Sequence, residues 1–253
     1  MTAAGKDGRP KYLIIATALR EAIDSGGYPP GARLPGENDV MRDHDVARAT
    51  ARQALAQLVN WGLAEARKGS GIYVREFRPI VRDGIARLGG STWPSGVSIW
   101  DAETEGRTLA VDQVEVSQTT PPANVRRLLG LPEGAETVLR SRRYVLDGNP
   151  VLVSRSWLPA PIVSGTPIAQ PDPGPGGVYA RLAEVGHAPA RFREDLRSRM
   201  PHPEETERLA IAPGTPVVDI CRVALTADGT PIEVNEMTAD SSAYVFRYEF
   251  DRR

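Results

Sequence analysis

The sequence predicts an α+β fold in two parts: a winged helix-turn-helix, then an antiparallel sheet with helices on it. Two observations carry this. Residues 48–60 read as a helix with one apolar stripe, followed by a short basic hairpin. Further on, Asp147-Gly148 and Asp228-Gly229 each separate two strand-like runs, and Asp-Gly between such runs is a strong hairpin signal.

The chain has 253 residues, 25% charged and 41% hydrophobic, the composition of an ordinary soluble protein long enough for two domains. Its net charge of −1 is unevenly spread. Residues 1–75 carry 11 Lys+Arg and 8 Asp+Glu, whereas residues 76–253 carry 20 and 24. The basic balance falls on the part with the helix-turn-helix pattern, as a phosphate-binding partner requires. One cysteine, Cys221, excludes a disulfide within the chain and reads as a small core residue. No signal-like segment opens the sequence, and no apolar run approaches the roughly 20 residues of a membrane helix. The expected compartment is the bacterial cytoplasm, with no membrane partner.

In order, residues 1–10 form a polar tail. Lys11 to Ser25 places Tyr12, Ile15, Leu19, Ala22 and Ile23 at helical spacing. A Gly/Pro turn follows at 26–31, and Glu37 to His44 is a short second helix. Arg48 to Asn60 has no Gly or Pro. Its Ala51, Ala54, Leu55, Leu58 and Val59 make the stripe, and Gly62 stops it. Arg48 and Arg52, four apart, stand on one side of that helix. Ala47 is a poor N-cap, so either Asp45 caps the helix in its place or the helix starts less firmly. Residues 63–66, the basic turn 67–71 and Ile72-Tyr73-Val74 form the wing. A helix with two arginines would enter a major groove, with the wing on the adjacent backbone.

These residues resemble the DNA-binding domain of the GntR family of bacterial repressors. The matching pieces are Tyr12…Leu19-Arg20…Ile23, Pro30-Gly31-Ala32-Arg33-Leu34-Pro35-Gly36-Glu37, Val46 to Leu55, Gly62-Leu63 and Gly69 to Val74. Gly36 and Ala47 depart from the family's usual Ser or Thr and Ser. A guanidinium can donate two hydrogen bonds to guanine or to phosphate, so Arg48 and Arg52 are the leading DNA contacts. The resemblance adds Arg33, Asn38, Thr50 and Gln53. Lys68 and Arg67 would touch phosphate, and Gly69 would let the wing approach the duplex.

Residues 76–94 read as a linker and 95–253 as the second domain, giving 1–75, 76–94 and 95–253. The second domain repeats itself: a helix end, a Pro/Gly turn, a strand, an Asp-Gly turn and a strand. The strands are 137–146 with 151–158, and 217–226 with 232–237. Strands at 108–116 and 244–250 complete a sheet of about six. Helices are expected at 122–129, 177–185 and 203–209.

This half is similar to the UTRA domain of the HutC subfamily of GntR regulators, which has a chorismate-lyase-like fold. The similarity rests on Leu131-Pro132-Glu133-Gly134, Arg142-Arg143-Tyr144, Asp147 to Pro150, Ser154 to Pro159, Val178-Tyr179…Leu182 and Asp228 to Glu233. It implies a homodimer on a palindromic double-stranded operator and a small-molecule effector. Arg140, Arg142, Arg143 and Arg155 crowd one hairpin and could hold an anion. The expected effector contacts are Arg140, Arg142, Arg143, Ser154, Tyr179 and Glu233. Relatives that bind phosphorylated sugars carry a hydroxyl residue where this chain has Gly177, which weakens the expectation of a sugar phosphate.

No catalytic residues, metal ligands or cofactor are expected. His44, His187 and His202 are scattered, and neither a P-loop nor a nucleophile elbow is present. The reading is a DNA-binding transcriptional regulator, a repressor released by a small metabolite, and not an enzyme. Two rivals are a ligand-independent repressor whose second domain only dimerises, and a lyase-like enzyme; fold alone does not fix function.

Overall fold

The computed structural model describes residues 9–67, 69–76, 79–84, 88, 107–211 and 214–250. The chain falls into two compact units, residues 1–78 with 211–215, and residues 79–210 with 216–253.

The first unit contains helices α1 (Lys11–Asp24), α2 (Glu37–His44) and α3 (Arg48–Asn60), then strands β1 (Ala64–Arg67) and β2 (Gly71–Val74). Ala16, Ala51 and Ala54 are all fully buried, so helix backbones approach closely, while Ile15, Leu55 and Leu58 fill the space around them. Helix α3 ends as its glycine predicts. Gly62 sits at φ 72°, Gly62 N–H donates to the Val59 carbonyl at 2.9 Å, and Leu63 N–H donates to Leu58 at 3.0 Å. Those two bonds satisfy carbonyls the helix end would otherwise orphan. β1 and β2 pair antiparallel from Ala64↔Val74 to Arg67↔Gly71, forming the wing.

The start of α3 rules out one of the two alternatives. Its N-cap is Ala47, with no side-chain cap, and Asp45 does not serve as the substitute. Asp45 instead takes a left-handed conformation, φ 47° and ψ 60°, at the end of α2. It makes the turn between the two helices, a role its short polar side chain tolerates.

The second unit is built on a six-stranded antiparallel sheet. Its strands are β4 (Leu109–Thr119), β5 (Thr137–Leu146), β6 (Asn149–Pro159), β7 (Arg191–Arg199), β8 (Val217–Leu225) and β9 (Pro231–Asp240). They lie in the order β4-β5-β6-β9-β8-β7. At the first Asp-Gly turn both residues have positive φ, 49° at Asp147 and 83° at Gly148, the pairing that matches strand twist in a tight hairpin. The second Asp-Gly pair closes a longer loop, in which Thr226 N–H donates to the Thr230 carbonyl at 3.0 Å.

Side chains alternate between the two faces of the sheet. One face carries α5 (Ala160–Val163), a 3-10 turn at Pro167–Ala169 and α6 (Gly177–Glu184), packed through Val163, Ile168, Val178 and Leu182 onto Val138 and Leu158. The other carries α4 (Ala123–Leu129), whose Val125 and Leu129 cover Trp157, Val223 and Val234. α7 (Pro203–Leu209) shares that face, its Arg208 carbonyl accepting from Arg143.

Two expectations change here. The sixth strand of the sheet is β7, not 244–250. β7 reads RFREDLRSR, whose charges hide any apolar alternation. It lies at the sheet edge, where charge discourages pairing with another chain. Strand β10 (Tyr244–Arg247) instead pairs in parallel with β3 (Ile80–Asp83), which lies within the expected linker. Ile80 and Tyr244 are buried against Tyr144, Leu152 and Met237, so this part of the linker belongs to the second unit's core. Most of the remaining linker expectation lies outside the described residues.

Candidate nucleic-acid interface and ligand cavity

On the first unit, α3 presents Arg48 and Arg52 with 61% and 68% of their side chains exposed. Neither hangs free. Arg48 Nη2 donates to Asn38 Oδ1 at 3.0 Å. Arg52 Nε donates to Glu37 Oε1 at 2.8 Å, and its Nη2 lies 3.4 Å from Oε2. Glu37 was not singled out from sequence; it lies within the quoted motif, one residue before Asn38. The arginines hold its carboxyl below the usual range, chiefly by the Arg52 hydrogen bond.

The other described candidates lie on α2, on α3, on the segment before α2 and in the wing. Asn38 and Gln53 are exposed and Thr50 is half-buried. Arg33 is exposed and bridges to Tyr73 of the wing strand. Gly69, at φ 72°, has nothing within 4 Å of where a side chain would begin, so the wing tip is open to a close neighbour. Arg67 lies over the Tyr73 ring at 4.3 Å and donates to Glu65 at 2.9 Å, which fixes the base of the wing. Lys68 lies outside the described residues.

On the second unit, a cavity of about 380 Å³ opens between β4, β5 and the loop 171–177. Arg140, Arg142 and Tyr144 line it. The two arginines behave differently. Arg140 is fully buried and donates to the carbonyls of Ile168, Gln170 and Pro171, the last at 2.8 Å. Burial first, then neighbouring Arg142, push its pKa down to about 10. Its work is to hold the loop that walls the cavity. Arg142 has a buried Nε with no partner and sits 5.9 Å from the Tyr144 ring centre.

A ladder of buried polar residues continues across the same face. The register runs Arg140↔Ser156↔Asn235↔Arg222↔Glu194 over five strands. Ser154 donates to Asn235 Oδ1 at 2.8 Å. Glu233, one row away, accepts from Ser156 Oγ and, at 2.5 Å, from the Tyr179 hydroxyl. Arg222 is 1% exposed, with its guanidinium 5.5 Å from the Tyr179 ring centre. Burial opposes its charge, but Tyr179, Glu233 and Glu194 outweigh burial and raise its pKa. Its Nε and Nη1 have no hydrogen-bond partner.

Arg140, Arg142, Ser154, Tyr179 and Glu233 therefore share one face, but the last three are buried and do not line the cavity. Arg143 does not join them. It faces the other side of the sheet, where Asp112 accepts from it at 2.8 and 2.7 Å. The four arginines of the hairpin are split by strand alternation, so they form no single anion site. The sequence reading missed Ser156, Glu194, Arg222 and Asn235. Alternation was the available signal: Arg222 and Asn235 hold the same face of the second hairpin that Arg142 and Ser154 hold in the first. Among the described residues, no group of three His, Cys, Asp or Glu is placed to hold a metal ion.

A winged helix with paired arginines, followed in sequence by a sheet domain with an arginine-lined cavity, defines a class of protein: two-domain DNA-binding regulators. The particular family follows from comparison. Residues 11–74 match the bacterial regulatory proteins of the gntR family, and residues 104–245 match the UTRA domain. This chain belongs to the GntR family and is a DNA-binding transcriptional regulator with a UTRA domain. An uncharacterized HTH-type transcriptional regulator of Streptomyces coelicolor is 31% identical, covering 95% of this chain and 93% of its own. The transcriptional repressor NagR of Bacillus subtilis is 24% identical over 96% of each. The crystal structure of PhnF from Mycobacterium smegmatis has the same fold, with a TM-score of 0.60, 24% identity, and coverage of 94% of this chain and 100% of that one. Among the described residues, no helix is long and apolar enough to cross a membrane.

Proposed function

We propose that this regulator is a cytoplasmic repressor that binds a palindromic operator as a homodimer and releases it when a small anionic metabolite enters the cavity beside Arg142. The observation that carries the DNA half is the exposed Arg48–Arg52 pair on one side of α3. Together with Arg33, Asn38, Thr50 and Gln53, that pair reads bases, while the wing, whose turn carries Lys68 and Gly69 in sequence, positions the helix on phosphate. A family relative named as a repressor supports the sign of regulation. Two copies are needed because one winged helix covers a single half-site, and a two-fold operator mirrors a two-fold dimer.

The ligand half rests on Arg142. Its Nε is buried and unpartnered at a cavity wall, where an anionic group would supply the missing acceptor. Tyr179 with Glu233, and Ser154 with Asn235, form hydrogen-bonded pairs on the same face of the sheet. The test starts from a duplex selected out of a randomised library by the full-length protein. Sedimentation with that duplex should show two chains bound, and candidate anionic metabolites should release it. One chain per duplex removes the dimer. No release by any metabolite, with calorimetry showing no binding, favours a ligand-independent repressor.

A further inference from the structure

We propose that Glu37 is a specificity-determining residue: it clamps Arg52, and secondarily Arg48, in the orientation that reads DNA bases. The proposal rests on the reading of α3 as the base-reading helix. Glu37 itself touches no DNA in it.

A guanidinium has two edges able to donate paired hydrogen bonds. One is Nε with Nη2, the other Nη1 with Nη2. Glu37 occupies the first on Arg52, with Oε1 at 2.8 Å from Nε and Oε2 at 3.4 Å from Nη2. The end-on edge stays open, in a plane set by the carboxylate. That edge matches the two acceptors of guanine, O6 and N7. Oε2 of the same carboxylate is 3.8 Å from Arg48 Nε, and its neighbour Asn38 holds Arg48 Nη2 at 3.0 Å. The first turn of α2 thus braces both arginines of α3.

Glu37 does more here than a surface ion pair. Exposed pairs contribute little to stability, so stability does not explain a carboxylate placed against two arginines. Arg48 and Arg52 repel each other at this spacing, and Glu37 offsets that repulsion while leaving their outer edges free. A long arginine loses rotamer freedom when it binds, and a clamp made beforehand removes part of that loss. The carboxylate also repels phosphate. An Arg52 that swings toward the backbone gives up the clamp, so the wrong mode of binding is disfavoured along with the right one being favoured.

The test uses the full-length protein, the library-selected duplex and a scrambled duplex of the same composition. Selectivity is the ratio of the two affinities. Glu37→Gln keeps the side chain's size but removes its charge. It should bind the scrambled duplex more tightly and lose about five- to tenfold in selectivity, the low end of what one bidentate base contact gives. Glu37→Asp keeps the charge in the first turn of α2 but falls short of Arg52. It should lose selectivity similarly while binding scrambled DNA as the wild type does. Thermal melts of each variant separate this from a damaged α2, because a merely structural role lowers melting temperature and both affinities together. Full selectivity in both variants, with Arg52→Ala having lost it, overturns the clamp. Full selectivity in Arg52→Ala itself overturns the underlying reading of α3.

Discussion

Arg82 and Glu194, 112 residues apart, form a buried ion pair, with Arg82 fully buried and its Nη1 2.9 Å from Glu194 Oε2. The second nitrogen, Nη2, donates to Oε1. The pair ties β3, on the segment that follows the wing in sequence, to edge strand β7. Removing one partner of a buried pair strands the other charge and costs about 3–5 kcal/mol. Arg82→Met should lose that much in urea denaturation. Arg82→Met with Glu194→Met should recover part of it, although Arg222, 3.9 Å from Glu194, then loses its neighbour. A loss below about 1 kcal/mol in Arg82→Met would show that β3 is held by Ile80 and the strand pairing alone.

The two cavity arginines should separate in mutation. Arg140→Ala orphans three loop carbonyls, each costing about 1–3 kcal/mol if left unmet. Its melting temperature should fall well below that of the wild type. Arg142→Ala removes no hydrogen bond from Nε and should melt near the wild type while keeping operator affinity. Its response to an anionic effector should weaken about ten- to a hundredfold, as loss of one charge-assisted contact implies. Equal melting temperatures for the two variants would contradict the division of labour.

On the first unit, Arg52→Ala should lose about 1–3 kcal/mol of discrimination between selected and scrambled duplexes. Lys68→Ala should weaken both duplexes alike and lower the salt slope by about one. Mobility-shift titrations over a range of salt distinguish the two. A uniform loss in Arg52→Ala would make it a phosphate contact.

The acid limb of stability should depend on Glu205. Its carboxylate accepts both terminal nitrogens of Arg199 at 2.6 Å and the His202 N–H at 2.8 Å. The Arg199 bonds, against the opposing effect of burial, hold its pKa below the usual value, with the His202 N–H adding to the shift. A carboxyl whose pKa falls on folding stabilises above its unfolded value, about 4.3, and loses that contribution as pH falls through the folded value. Glu205→Gln should therefore flatten the fall in melting temperature below about pH 4.3. An unchanged acid limb would assign it to other carboxylates, such as Asp112 beside Arg143.

Sequence alone determined the local elements whose signals are local. α2, α3 and β5 have the bounds that periodicity, the stop at Gly62 and the Asp-Gly turn imply, because those forces act within a few residues. The family was legible for the same reason, since its motifs are short and ordered. Strand β7 was not, because its charges mask alternation and only pairing with β8 makes it a strand. The internal repeat held one clue: β4 precedes α4 as β7 precedes α7.

Tertiary structure decided what each arginine does. Arg140, Arg142 and Arg143 are near neighbours on one strand and alike on paper. Alternation sends Arg143 to Asp112 on one face and the other two to the cavity side. There, the terminal nitrogens of Arg140 bind backbone carbonyls from a loop about thirty residues on, while Arg142 makes no such bond and keeps an unpartnered Nε. Glu37 similarly meets Arg52 only because the turn at Asp45 lays α2 against α3. Partners distant in sequence are chosen by packing, and packing is a property of the whole chain rather than of any stretch of it.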